Sequence, residues 1–346
     1  MKRSKNVFIG VEDAAGVCSR LKHGFDAIGV YSHFYSFQKH IFNYKTDKII
    51  HYSDIKLIRV FQKIKLILIL LIQYKYFIFV TPHTLFPNFK DIKILKFFGK
   101  KTMMIFTGCD VRIPEKVSVF KWNTCSDCTQ EYKDFVGCEI ERKIRRTKVV
   151  EDLFDIVSCP IEASGNLTRM FYPGFFPVDL SVFPSEKFKN YTFNKRLKII
   201  HAPTNETYKG SKYIFETIER LRKKYDFEFK VIKNISIQEF YKEVAESDLV
   251  IDQMLLGGFG FVSIEAMAMY KPVISYLRDE VLEKVNYDCP IINANPDTLY
   301  EVIEKVIVNP KQLIQIGLKS REFVENYWDE KKVAEEYYNL FENIPY

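Results

Sequence analysis

An apolar run, Leu249-Val-Ile-Asp-Gln-Met254, leads through Gly257-Gly-Phe-Gly260 into a helical pattern that stops at Lys271-Pro272. A buried strand that feeds a tight loop and then a helix is the building unit of parallel α/β sheets, so this stretch narrows the fold more than any other. Three glycines in four positions let the backbone approach a ligand closely, and free N–H groups at the following helix start favour negative charge. Glu265 sits one turn into that helix on the side of the loop, where a carboxylate can accept hydrogen bonds from sugar hydroxyls. Taken alone, a Gly-x-Gly with a dipole-satisfying glutamate is an ordinary turn. The sequence on either side decides between the two.

The same alternation recurs along the chain. In the first half, strands are expected at 6–11, 76–81, 101–107 and 153–158, with helices at 16–28 and 161–171. The second half repeats the scheme more clearly, with strands at 196–202, 227–233, 249–254 and 272–277 and helices at 212–225, 237–246, 296–308 and 310–327. Between them, residues 172–184 carry proline and glycine without a helical period and read as a linker. The 346 residues are enough for two α/β domains, each with its own core, over 1–180 and 181–329.

Charge divides the same way. Residues 1–180 hold 28 Lys+Arg against 18 Asp+Glu, a net of +10, whereas residues 181–346 hold 23 against 26, a net of −3. A basic half suits an anionic membrane surface or a phosphate-bearing lipid, and the dispersed cations match no nucleic-acid motif. The most apolar stretch, 66–72, is bounded by Lys63, Lys65, Gln73 and Lys75, far short of the roughly 20 residues needed to span a bilayer. It reads as a buried helix or as a patch resting on a membrane. The N-terminus looks like a first strand and not a signal peptide, so the expected location is the cytoplasm, with peripheral attachment to the inner face of the membrane. The 7 cysteines are then thiols or metal ligands and not a disulfide framework. Cys125 and Cys128, with Cys138 and either Cys109 or Cys159, have spacing compatible with a structural zinc site, and reduced thiols are the alternative.

Several segments together resemble retaining glycosyltransferases of the two-Rossmann GT-B type, in the large group that builds bacterial surface glycans. Gly257–Ile274 matches most of that family's donor loop and helix, and 173–184 its interdomain signature, with Asp179 and Phe183 in place. His201 to Gly210 resembles the loop that holds the donor diphosphate, and Phe106 to Arg112 the segment after a first-domain strand. The tail from Tyr327-Trp328 to Tyr337-Tyr338 resembles the closing helix, so residues 330–346 would pack back on the first domain.

The resemblance implies two sheets facing across a cleft and transfer of a sugar from a nucleotide-diphosphate donor to a glycan or lipid-linked acceptor, without a catalytic cofactor. Glu265 would hold the donor ribose, and Gly258, Phe259, Gly260, Phe261 and Val262 would lie along the sugar and diphosphate, with Thr204 and Asn205 beside them. Lys209 would stabilise the departing diphosphate; by position alone it is equally an exposed residue opening a helix. Asp110 would act near the acceptor or shape the cleft, or serve as a strand-end turn residue. On the acceptor side, Gly16 would allow close backbone approach, His83 would line the cleft or be an ordinary surface residue, and Arg112 could supply a missing charge, as could Lys212. The family departs here at three positions: Gly257 replaces a glutamate, Thr204 an arginine and Thr107 a histidine. Those losses favour an alternative, a catalytically silent GT-B protein that binds partners. A dinucleotide-dependent oxidoreductase lacks the early G-x-G-x-x-G.

Overall fold

The computed structural model describes residues 6–39, 44–169, 172–173, 176–183, 196–285 and 288–344. They form two compact units: Met1–Arg112 with Cys138–Pro177 and Glu330–Tyr346, and Ile113–Gly137 with Val178–Asp329.

The first unit holds a sheet of β1 (Val7–Val11), β2 (Ser32–Ser36), β3 (Lys48–Ile49), β4 (Tyr76–Val80), β5 (Lys101–Ile105), β6 (Ile156–Cys159) and β7 (Tyr172–Pro173). Its order is β3-β2-β1-β4-β5-β6-β7 and every neighbouring pair is parallel. The second holds β8 (Lys198–His201), β9 (Glu228–Val231), β10 (Leu249–Ile251), β11 (Val273–Ser275) and β12 (Ile292–Asn293), ordered β12-β11-β10-β8-β9 and also parallel. Parallel strands are covered on both faces, which explains why β1, β4 and β5 are continuous buried runs and not alternating ones. In register, Ile9 lies between Phe34 and Ile78.

The helices in chain order are α1 (Val17–Ala27), α2 (Lys56–Gln73), α3 (Lys90–Phe97), α4 (Pro114–Val117), α5 (Gln130–Phe135), α6 (Ile140–Leu153) and α7 (Glu206–Lys209). They continue with α8 (Ser211–Arg222), α9 (Ile237–Glu246), α10 (Phe261–Ala268), α11 (Asp279–Lys284), α12 (Leu299–Val308), α13 (Gln312–Tyr327) and α14 (Glu330–Asn343). Local chemistry sets several of these limits. α9 starts in a capping box, Ser236 with Glu239, and runs over the 237–246 expected from its period. α14 returns to the first unit, where Gly24 of α1 lets the backbone at Glu330 come so close that a Cβ would overlap its carbonyl oxygen. Buried Lys101 ties down the far end by donating to the carbonyls of Phe341 and Ile344 at 3.1 and 2.6 Å.

Two sequence expectations change and one, for the 66–72 stretch, is narrowed. Residues 161–171 are not a continuous helix: Ile161–Asn166 is a 3-10 turn, and 170–171 lie outside the described residues. The 66–72 stretch belongs to α2, whose Leu66, Ile67 and Leu70 are buried in the first unit's core while its opposite side is exposed. The third concerns the cysteine-bearing excursion Ile113–Gly137, placed by sequence order in the first domain, which packs in the second unit. The reason is a set of specific contacts: Lys121 and Trp122 hold Asp297 at 2.7 and 2.9 Å, Thr124 donates to the Tyr208 carbonyl, and Asp127 pairs with Lys212 at 2.9 Å.

Candidate functional site

Ligands of open parallel sheets bind beyond the carboxyl ends of the strands where the strand order reverses. In the second unit that point lies between β8 and β10, which are adjacent while their following connections go to opposite sides. The residues leaving these two strand ends meet there. Lys209, at the end of α7, places Nζ 2.5 Å from Oδ1 of Asp252, the residue after β10, and both side chains are buried. The other oxygen, Oδ2, accepts from the Ser263 hydroxyl at 2.6 Å and the Ser263 amide at 3.2 Å, in the first turn of α10. Gly260 covers this pair: a Cβ there would overlap Asp252 Oδ2 and lie 3.0 Å from Lys209 Nζ. Gly260→Ala should therefore destabilise the second unit by about 1–3 kcal/mol, measurable by urea unfolding, because the carboxylate is pinned on both oxygens and cannot retreat.

Gln253 shapes the loop itself. Its buried amide donates to the carbonyls of Gly258 and Tyr276 and to Ser275 Oγ at 2.7–2.9 Å, and its oxygen accepts from the Leu256 amide at 2.6 Å. The chain can then turn at Gly257, whose φ of 75° lies in the left-handed region. A Cβ at 257 would come 2.8 Å from Cγ of Arg278, which crosses the loop with its guanidinium 4.1 Å over the Phe120 ring. Gly257 is thus required by the turn and by Arg278. Phe259 packs on Trp328, with ring centroids 4.8 Å apart, and Phe261 and Val262 are half-buried at the start of α10. Gly260 supplies no side-chain cap to that helix; Asp252, from the end of β10, serves its first turn instead by accepting from the Ser263 amide.

Glu265 is 5% exposed on α10 and accepts from the Tyr241 hydroxyl at 3.3 Å. Beside β8, Asn205 caps α7 by accepting from the Tyr208 amide at 2.7 Å, and Thr204 is exposed. His201, the last residue of β8, is buried between the Ile251 carbonyl and Ser211 Oγ, 2.8 and 2.7 Å away, and burial lowers its pKa to about 4. Because the unfolded histidine takes up its proton near pH 6.5, the native state loses stability as pH falls from 6.5 toward 4. We expect about 2 kcal/mol of loss between pH 7 and 5 from this group, and a flatter pH profile in His201→Gln.

Lys209, Glu265, Gly258, Phe259, Gly260, Phe261 and Val262 therefore share one sheet end. Asp252 and Gln253 were not singled out in sequence. The available signal was a polar pair at the carboxyl end of a buried strand, which in this fold class marks a ligand site.

In the first unit the order reverses between β1 and β4. Glu12 and His83, from the loops after these strands, lie 2.9 Å apart, and His83 holds the Glu12 carboxyl below its usual range. Gly16 adopts a φ of 81° with the Tyr44 ring against it, so its conformation and its packing both call for glycine. Asp110 accepts from the amides of Thr107 and Gly108 and from the Thr107 hydroxyl at 2.8–3.3 Å, the geometry of a turn residue. Arg112 is buried 3.6 Å from Glu162. Lys212 meets Asp127. Among the described residues no three cysteine sulfurs come together as a metal group; Cys138 lies 3.1 Å from the Lys143 ammonium, while Cys125 and Cys128 belong to the other unit.

The fold is that of GT-B glycosyltransferase structures. Anabaena Alr3699/HepE, solved in complex with UDP, matches over 97% of this chain and 99% of its own at a TM-score of 0.60 and 11% identity. A glycosyltransferase from Rickettsia africae ESF-5 matches over 99% and 100% at 0.60 and 14%. A UDP-GlcNAc 2-epimerase from Neisseria meningitidis, bound to UDP-GlcNAc, matches over 97% and 99% at 0.53 and 13%, so one architecture carries more than one chemistry. Neither a family model nor a curated protein sequence matches the chain.

Proposed function

We propose that the chain is a glycosyltransferase that moves a sugar from a nucleotide-diphosphate sugar to a glycan or lipid-linked acceptor, with retention at the anomeric carbon, in bacterial surface polysaccharide synthesis. The observation that carries this reading is the meeting of a glycine loop that opens a helix, a glycine-covered lysine and a helical glutamate at the β8/β10 switch point. An anionic diphosphate is favoured at the start of α10, and the Lys209 ammonium beneath Gly260 adds positive charge as the leaving group departs. Glu265 is one turn further along the same helix and would exchange the Tyr241 hydroxyl for those of the ribose. No metal or organic cofactor takes part in this scheme. HepE has been solved with UDP and with UDP-glucose, which makes uridine nucleotides the first donors to test.

One observation favours a second reading, a catalytically silent GT-B protein: Asp252 already neutralises Lys209. The purified full chain, given UDP- and GDP-sugars with a panel of glycan and lipid-linked acceptors, separates the two. Release of nucleoside diphosphate that requires an acceptor supports the transferase. Donor binding without release across the panel supports the silent protein.

A further inference from the structure

A cavity of about 790 Å³ opens in the first unit at the carboxyl end of β4, beside the reversal point of its sheet. Lys63, Lys93, Arg142, Arg145 and Arg146 line it together with His83; no carboxylate lines it, although Glu12 pairs with His83 at 2.9 Å and Glu12, Asp110 and Glu139 act on Arg146 from outside the lining. Cations outnumber the carboxylates around this space, and an anion in it would be attracted by the excess. Among the described residues Arg142 and Arg145 meet carboxylates through Glu139 and Glu141, at 3.5 and 3.4 Å across exposed surface, contacts that compete poorly with a bound anion. Arg146 is more telling. Its guanidinium donates to the Asp110 carbonyl at 3.4 Å, its Nε is buried without a hydrogen-bond partner, and burial pushes its pKa down. Asp91, under the floor, holds Thr84 and the Leu85 amide at 2.8 Å and does not reach the cations.

The wall beside this cavity is apolar on its outside. Lys63 of α2 lies over the Tyr52 and Phe86 rings, 5.2 and 5.5 Å from their centroids. From the same helix Leu57, Phe61, Ile64, Leu68 and Ile72 form one stripe that is 49–84% exposed, opposite the buried Leu66 and Leu70. α2 also carries Lys56, Arg59, Lys63 and Lys65 and no carboxylate. An exposed apolar stripe with cations along its flanks and no anions matches the interface of an anionic bilayer, where the stripe meets acyl chains and the cations meet phosphates.

We propose that this cavity binds the phosphate or diphosphate of a membrane-borne acceptor, with the α2 stripe resting in the bilayer interface beside it. Arg146 would take the anion at depth, Arg142 and Arg145 would close around it, and the aromatic walls would meet the first carbons of the lipid. The proposal rests on the transferase reading for the ligand's role as acceptor, not for its binding.

Flotation of the full chain with vesicles tests it without turnover. Three compositions are compared: phosphatidylcholine alone, and phosphatidylcholine with phosphatidic acid or phosphatidylglycerol at matched surface charge. Wild type should bind phosphatidic acid vesicles roughly tenfold or more above the phosphatidylglycerol ones, and Arg145→Gln/Arg146→Gln should erase that preference at an unchanged unfolding midpoint. Phe61→Ser/Leu68→Ser, on the exposed stripe, should lose vesicle binding yet keep a thermal shift with inorganic diphosphate. Equal binding of both anionic vesicles by wild type and the arginine variant would reduce the surface to general charge attraction and overturn the pocket. Diphosphate binding with no vesicle binding would overturn the lipid source. Donor binding by the second unit is read separately, so either outcome leaves the transferase reading standing or falling by its own assay.

Discussion

Asp252→Ala is expected to destabilise the second unit by about 3–5 kcal/mol, because it leaves the Lys209 ammonium buried without a counter-charge. The Ser263 amide and hydroxyl lose their acceptor in the same step, which loosens the first turn of α10. Urea unfolding followed by tryptophan fluorescence would report the loss as an earlier transition, since Trp122 and Trp328 both belong to this unit. The pair variant Lys209→Met/Asp252→Asn separates structure from chemistry. Neutralising both partners removes the stranded charge, and the amide can still accept from Ser263, so most of the stability should return. If the ammonium stabilises a leaving diphosphate, turnover in this refolded variant should still be down by roughly 10²–10³-fold. Full activity in the double variant would show that Lys209 serves only to hold Asp252.

Glu265→Ala should weaken donor binding by roughly 10²–10³-fold, the scale of two hydrogen bonds from ribose hydroxyls to a carboxylate. Urea unfolding of the same variant reads its stability separately, so that weaker binding is not confused with a loosened α10. Glu265→Gln keeps the shape and one acceptor, so its loss should be intermediate. Titration calorimetry with a uridine nucleotide gives the ranking. An equal loss in both variants would place the effect in packing, and no loss in either would move the ribose elsewhere.

Much of this was legible in sequence, for physical reasons. Buried parallel strands are continuous apolar runs, so β1, β4, β5, β8 and β10 stood out. β2 did not, because Ser32-His-Phe-Tyr-Ser36 is polar at both ends and owes its place to pairing with β1. The two-residue strands β3, β7 and β12 are defined by register alone and leave no periodic mark. The glycine loop was visible through its spacing, yet the ion pair beneath it joins residues 43 apart in sequence and exists only once β8 and β10 lie side by side. Asp110 and Asp179 illustrate the converse. Each resembles a motif residue, and each also accepts from a neighbouring amide, Asp110 from Thr107 and Gly108 and Asp179 from Ser181, contacts that chain order alone provides. The 113–137 excursion could not be assigned from chain order, because Asp297 and Tyr208, which hold it, come much later.

Hydrogen exchange of the full chain with and without a saturating nucleoside diphosphate tests the central claim most directly, since it reports where the ligand sits. The expected result is slowed exchange in peptides covering the 257–262 loop and the first turn of α10, with a smaller effect at the end of α7 and none in Glu265→Ala at the same nucleotide concentration. Binding that leaves those amides unchanged while protecting another part of the chain would contradict it.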